Sequence, residues 1–199
     1  KNLAGGDIGF SLADQGAVFH FGALATAVNR CDGCVVVTLY NGGTIAADLV
    51  VSAVGVRPRT ELAQAAGLAT QRGVVTNRYL ETSAENVYAL GDCAEVEGHV
   101  LVYVAPLMAA ARALGKTLTG ERTAVSYPAM PVTIKTPTCP VVVAPPPRGA
   151  EGEWQIEADA ANVRCEFRDS GGELLGFALT GEAIREKIAL QKALPPILP

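Results

Sequence analysis

The chain has 199 residues, 49% of them hydrophobic, with a formal net charge of -4 and a sequence pI near 5.2. That is enough apolar material for one ordinary domain or two small ones, which excludes a disordered chain, and the absence of any run of like charges excludes a surface built to neutralise nucleic-acid phosphates. Apolar stretches break well short of the ~20 residues a membrane-spanning helix needs, residues 1–10 lack the apolar run of a signal peptide, and five irregularly spaced cysteines suit a reducing compartment, so a soluble, cytoplasmic protein without membrane partners is expected.

Residues 3–15 carry a weak helical pattern in Leu3, Ile8 and Leu12 that ends at Gly16, and the strand formers of residues 18–21 follow. Residues 34–40 and 44–54 are rich in Val, Ile and Leu, and Asn41-Gly42 between them predicts a hairpin, hence a meander. Its last stretch, residues 49–54, is almost continuously apolar, as expected of a strand covered on both faces, and Gly55 closes it. Thr60 is placed to cap a short helix with Glu61 in its first turn and Gly67 beyond its end. A second buried strand is expected at residues 87–90, then Gly91-Asp92, then a helix over residues 106–118 with Pro106 in its first turn.

Residues 126–150 change character: seven of the 12 prolines fall there, with Lys135 and Arg148 and no acid, as in a domain boundary or an exposed working segment. Beyond it residues 154–158, 163–167 and 174–179 read as strands, Gly171-Gly172 as a turn and residues 182–194 as a terminal helix, together a small α+β unit. Leu190 and Ile188 read as core packing.

The segment Thr82-Ser83-Ala84-Glu85-Asn86-Val87-Tyr88-Ala89-Leu90-Gly91-Asp92 delivers a glycine and a carboxylate from the end of an apolar strand. Ligands of open α/β sheets sit beyond such ends, where glycine admits a cofactor to the backbone and Asp accepts hydrogen bonds from sugar hydroxyls. A Gly-Asp turn that caps a helix fits the spacing equally well. The segment resembles the second flavin-binding motif of the two-dinucleotide-binding-domain flavoproteins, and Ala53-Val54-Gly55-Val56-Arg57-Pro58 upstream resembles their A-x-G-x-x-P return element. The stretches LVVSAVGVRPRTEL (49–62), VYALGDCAEV (87–96), YVAPLMAAARAL (103–114) and MPVTIKTPTCPVVVAPPPR (130–148) are similar to the rubredoxin reductases within that superfamily.

The resemblance implies an α/β fold: a partial two-dinucleotide-binding-domain flavoprotein with a small α+β C-terminal domain. Residues 1–82 would finish an NAD(P)-binding domain and return to the FAD domain, residues 83–125 would end the FAD domain, and residues 126–199 would form the C-terminal domain. It implies FAD and NAD(P)H as cofactors and rubredoxin, a small acidic iron-sulfur carrier, as electron acceptor. Gly55 and Gly91 would lie in cofactor-binding turns, Asp92 would bind the FAD ribityl or pyrophosphate region, Val104 would place its backbone near the flavin ring, and Lys135 would approach the ring's polar edge. No side chain is expected to act as acid or base. The competing class is a non-catalytic carrier-docking or structural fragment that binds no cofactor.

The strand followed by G-x-G-x-x-G that cradles a dinucleotide pyrophosphate does not occur, and Gly5-Gly6-Asp7-Ile8-Gly9 lacks the preceding strand. Cys31 and Cys34 flank Asp32-Gly33 in a predicted hairpin turn and not at a helix N-terminus that would lower a thiol pKa, and no second ligand pair makes a zinc site. His20 and His99 have no partner at metal or triad spacing, and no G-x-S-x-G elbow occurs, so both histidines read as structural.

Overall fold

A computed structural model describes residues 12–136, 139–159 and 162–199. The chain divides into two compact units, residues 9–55 and the larger 56–199. The expected opening helix and Gly5-Gly6-Asp7-Ile8-Gly9 lie outside the described residues as far as residue 11; from Leu12 a helical turn closes with the Gln15 N–H on the Leu12 carbonyl at 3.0 Å.

The smaller unit is an antiparallel meander of β1 (Ala25–Cys31), β2 (Cys34–Leu39) and β3 (Thr44–Ala47). The Asn41-Gly42 turn forms as its residues dictate: Gly42 takes φ +83°, and the Asn41 side-chain oxygen accepts the Gly43 N–H at 3.0 Å. Two expectations fail here. Residues 18–21 form no strand, their Phe19 and Phe21 rings stacking 5.4 Å apart ahead of β1. Residues 49–54 are neither paired nor buried: Leu49 is 76% and Val54 93% exposed. A strand buried on both faces needs a layer on each side, and the meander supplies none; none of its described residues is buried.

In the larger unit α1 (Glu61–Ala65) follows Thr60, whose hydroxyl does not make the expected capping bond to the backbone but accepts from the Gln64 side-chain amide at 3.1 Å, and the helix stops before Gly67 at φ +74°. β4 (Val74–Thr76) runs parallel to β5 (Ala94–Val96), and Ala94 and Val96 of β5 pack with α2 (Val104–Leu118) around Leu80, Ala110, Ala113, Val125 and Tyr127. Buried Glu95 is not left without partners: its Oε2 accepts the Arg72 and Gly73 N–H groups at 2.8 and 3.1 Å. Gly73 allows that approach, since a Cβ there would stand 2.8 Å from the Cys93 carbonyl oxygen.

Residues 87–90 do not form the expected strand. Among the described residues their one strand-like pairing is with residues 80–82, where Glu81 bridges Tyr88 and the Ala89 N–H donates to the Leu80 carbonyl at 3.1 Å. The strand of this region is β5, reached after a 3-10 turn at Gly91–Cys93. Glu81 is fixed by Arg122, which reaches its carboxylate at 3.0–3.2 Å and stands 3.6 Å from the centre of the Tyr79 ring; hydrogen bonds from Arg122, then Asn77, hold Glu81 below the usual carboxylate range.

The C-terminal part is an antiparallel five-stranded sheet built from β6 (Val132–Ile134), β7 (Val141–Ala144), β8 (Glu153–Asp159), β9 (Asn162–Arg168) and β10 (Leu174–Thr180), in the order β6-β7-β10-β9-β8. Part of the proline-rich segment lies in the sheet: buried Val141 and Val142 put β7 beside the central strand. Its described prolines sit outside the paired stretches, where no ladder N–H is lost. The Gly171-Gly172 turn forms, with Gly172 at φ +84° and the Asp169 carboxylate accepting the Gly171 and Glu173 N–H groups at 2.9 and 2.8 Å. The expected terminal helix opens as a 3-10 stretch, Gly181–Glu186, and becomes α3 (Lys187–Ala193). Leu190 joins the core of Val142, Leu174, Phe177 and Leu179, whereas Ile188 is 66% exposed, so only half of the expected apolar stripe packs.

Candidate functional site

The Gly91–Cys93 turn follows an extended Leu90 and is possible because Gly91 takes φ +80°, a region that costs other residues roughly 1–2 kcal/mol. A Cβ on Gly91 would also stand 3.1 Å from Leu107 Cδ1, so the bare backbone lies directly against the first turns of α2. Asp92 is the next residue, exposed, in the first turn of the 3-10 segment.

α2 begins at Val104 after an extended Tyr103 that places no side chain on the helix end. Its first N–H groups have no intrahelical acceptor, and Pro106 contributes none, so the N–H groups of Val104 and Ala105 and the positive end of the helix dipole remain for an external polar group. Val104 is 71% exposed at that end. Buried Pro106 and Tyr127 and half-buried Leu107 and Leu101 line a small cavity with Gly91 and His99, which backs the turn with apolar surface. Burial pushes the Tyr103 phenol up, and burial together with the neighbouring Tyr103 does the same to Tyr127, so both rings stay neutral across the ordinary pH range.

The structure thus joins three of the five sequence-predicted site residues, Gly91, Asp92 and Val104. Lys135 is exposed, one residue past β6. Gly55 ends the smaller unit at φ +97° with open space where a Cβ would point, a position that calls for glycine for its backbone alone. Leu107 and Tyr127 were not anticipated. Leu107 fell inside a similar stretch without a role, and Tyr127 sits in a loop with no periodicity to mark it; it is fixed by reciprocal backbone hydrogen bonds with Leu198 at 2.8 and 3.0 Å. His99 bridges back to Val96 and lines the cavity, in keeping with a structural part. Among the described residues no cluster of His, Cys, Asp or Glu is arranged to hold a metal, and no helix is long and apolar enough to cross a membrane.

The profile of the pyridine nucleotide-disulphide oxidoreductase family matches residues 10–115, and that of the rubredoxin binding C-terminal domain matches residues 124–194. The rubredoxin-NAD(+) reductase of Alcanivorax borkumensis is 58% identical over 193 residues, which is 96% of this chain and 50% of that protein. The rubredoxin-NAD(+) reductase of Acinetobacter baylyi is 47% identical over 164 residues, 82% of this chain and 42% of that protein. The crystal structure of a ferredoxin reductase from Rhodopseudomonas palustris superposes with a TM-score of 0.78 at 25% identity, covering 96% of this chain and 50% of that one. The chain spans about half the length of the curated relatives it matches.

Proposed function

Because the chain belongs to the pyridine nucleotide-disulphide oxidoreductase family, we propose that it forms the C-terminal half of a flavoprotein that passes electrons from NAD(P)H through FAD to rubredoxin. The reading is carried by the meeting of Gly91 and Asp92 with the uncapped start of α2, in a chain whose residues 124–194 match a rubredoxin binding domain. In this reading residues 1–82 complete the NAD(P)-binding domain and return to the FAD domain, residues 83–125 end the FAD domain, and residues 126–199 are the C-terminal domain. The exposed apolar residues 49–54 then find their second layer in the remainder of the parent protein.

The residues present fit part of an FAD site. Leu107 packs against the bare Gly91 backbone, the exposed Asp92 carboxylate would accept hydrogen bonds from ribityl hydroxyls, and the free N–H groups of α2 would donate to the electron-rich edge of the ring. Val104 lies at that helix end; by the resemblance Lys135 would supply a positive charge at the same edge of the ring and Gly55 would hold the return turn. Bound FAD supplies the conversion between the two-electron chemistry of NAD(P)H and the one-electron chemistry of an iron-sulfur carrier. The chain's own part is to orient and polarise; none of its side chains has to hold or move a proton.

The pyrophosphate cradle is not among these 199 residues, so the isolated chain is expected to purify without stoichiometric FAD and the full-length protein with it. Flavin absorbance of the two preparations checks this, and tightly bound FAD on the isolated chain would contradict it. Serine at both Cys31 and Cys34 is expected to leave NADH-driven acceptor reduction by the full-length protein intact, because the pair closes a β-hairpin and not a helix N-terminus. Loss of that activity with flavin still bound would place the dithiol in the electron path.

The acceptor is expected to dock on the proline-rich segment. Residues 126–150 carry Lys135 and Arg148 with no acid, a net of +2, against five basic and nine acidic residues in 151–199, a net of -4. Arg148 is exposed in a turn closed by the Ala150 N–H on the Pro147 carbonyl at 3.1 Å, so docking there orders little that is not ordered already. A local positive patch steers an acidic carrier, while the surrounding acids disfavour other poses. Arg148→Glu in the full-length protein is expected to slow rubredoxin reduction at low salt, with the deficit shrinking as salt screens the field and with ferricyanide reduction less affected. Unimpaired rubredoxin reduction at low ionic strength would put the docking site elsewhere.

A further inference from the structure

The cysteine pair that the electron path does not use has a geometry of its own. Cys31 and Cys34 are direct partners in the β1-β2 ladder, joined by the two-residue turn Asp32-Gly33 with Gly33 at φ +80°. Directly opposed residues of an antiparallel pair have Cα atoms about 4.5–5.5 Å apart and side chains on one face. A disulfide spans Cα separations of about 4.4–6.8 Å, so the two sulfurs can bond without moving a strand.

Both cysteines also line the same open groove, with Arg30, Asp48, Leu49 and Val50, which places them on one accessible side. Cys31 is exposed and Cys34 half-buried. The other three differ: Cys139 and Cys165 are buried, and the Cys93 sulfur lies 3.5 Å from the Leu90 carbonyl oxygen. With no metal-binding cluster among the described residues, nothing else engages the two thiols.

We infer that Cys31 and Cys34 are a modification site, a reversible dithiol-disulfide couple that small-molecule disulfides oxidise. The more exposed Cys31 thiolate attacks one sulfur of the small disulfide, forming a mixed disulfide and releasing one small thiol. The Cys34 thiolate then attacks the Cys31 sulfur, forming the internal disulfide and releasing the second small thiol. The protein dithiol loses two electrons and two protons, and the small disulfide gains both. An exposed disulfide closing so short a loop belongs to the readily reduced kind, which makes the couple a switch and not a structural staple.

The test uses the full 199-residue chain and oxidised glutathione. After acid quenching and alkylation of remaining thiols, the tryptic peptide 31–59, which runs through the uncleaved Arg57-Pro58 bond, contains no other cysteine. It is expected to carry no alkyl group and to be two hydrogens lighter than the dithiol form, returning to the doubly alkylated form after dithiothreitol. In Cys34→Ser the first exchange has no resolving thiol, and glutathione is expected to remain on Cys31. A wild-type peptide that stays doubly alkylated, or one that keeps glutathione on either cysteine without an internal disulfide, would overturn the inference.

Discussion

Replacing Asp92 by alanine in the full-length flavoprotein is expected to weaken FAD binding by roughly tenfold or more. A hydrogen bond to a charged acceptor is worth about 1.5–3 kcal/mol, and the Asp92 carboxylate is exposed where such a bond forms at no cost to the fold. The neighbouring geometry does not depend on this side chain: the turn follows from the positive φ of Gly91, and α2 from its own periodicity and Pro106. The measurement is FAD titration of the apoprotein, with circular dichroism of the variant to verify that the fold is kept. An unchanged dissociation constant would remove Asp92 from the site. A loss of FAD accompanied by a loss of helix would say only that the residue holds the fold.

The largest expected effect on stability belongs to Phe177→Ala, at about 3–5 kcal/mol for an aromatic core truncation. Phe177 lies in β10, the central strand of the five-stranded sheet, is 1% exposed, and stands opposite Ala144 on one side and Glu166 on the other. Its ring fills the core between the sheet and Leu190 of α3, and small neighbours such as Ala144 cannot collapse into the space it would leave. Trp154 is the only tryptophan and packs edge-on against Phe167, 5.3 Å between ring centres, so its fluorescence follows this sheet. Urea unfolding by that signal is expected to show a large fall in midpoint with little change in slope. A fall worth less than about 1 kcal/mol would mean that the site repacks.

What the sequence supplied was whatever depends on neighbours along the chain. The Asn41-Gly42, Asp32-Gly33 and Gly171-Gly172 turns, the start of α1 at Thr60, α2 and the three strands after residue 150 are each fixed by local residue chemistry, and each formed where it was expected. The quoted motif stretches also identified the family, and the 58% identity to a rubredoxin-NAD(+) reductase agrees with them.

The tertiary structure decided what depends on layers and partners. An apolar run such as residues 49–54 states that a strand wants cover on both faces but not whether this chain provides it, and it does not. Residues 87–90 are β-forming in type, yet pairing needs a neighbour, so the parallel strand falls at residues 94–96 where β4 lies alongside. The composition of the proline-rich segment read as a domain boundary or an exposed working segment, and only the fold shows that Val141 and Val142, free of proline, carry part of it into the sheet. The site divides in the same way. Gly91 and Asp92 are adjacent in sequence and legible as a motif, whereas Leu107 and Tyr127 reach the cavity only through the packing of α2 and the clamp to Leu198, which no local pattern encodes. Short-range sterics and hydrogen bonding act within a few residues and can be read from the chain, while burial depends on which surfaces meet.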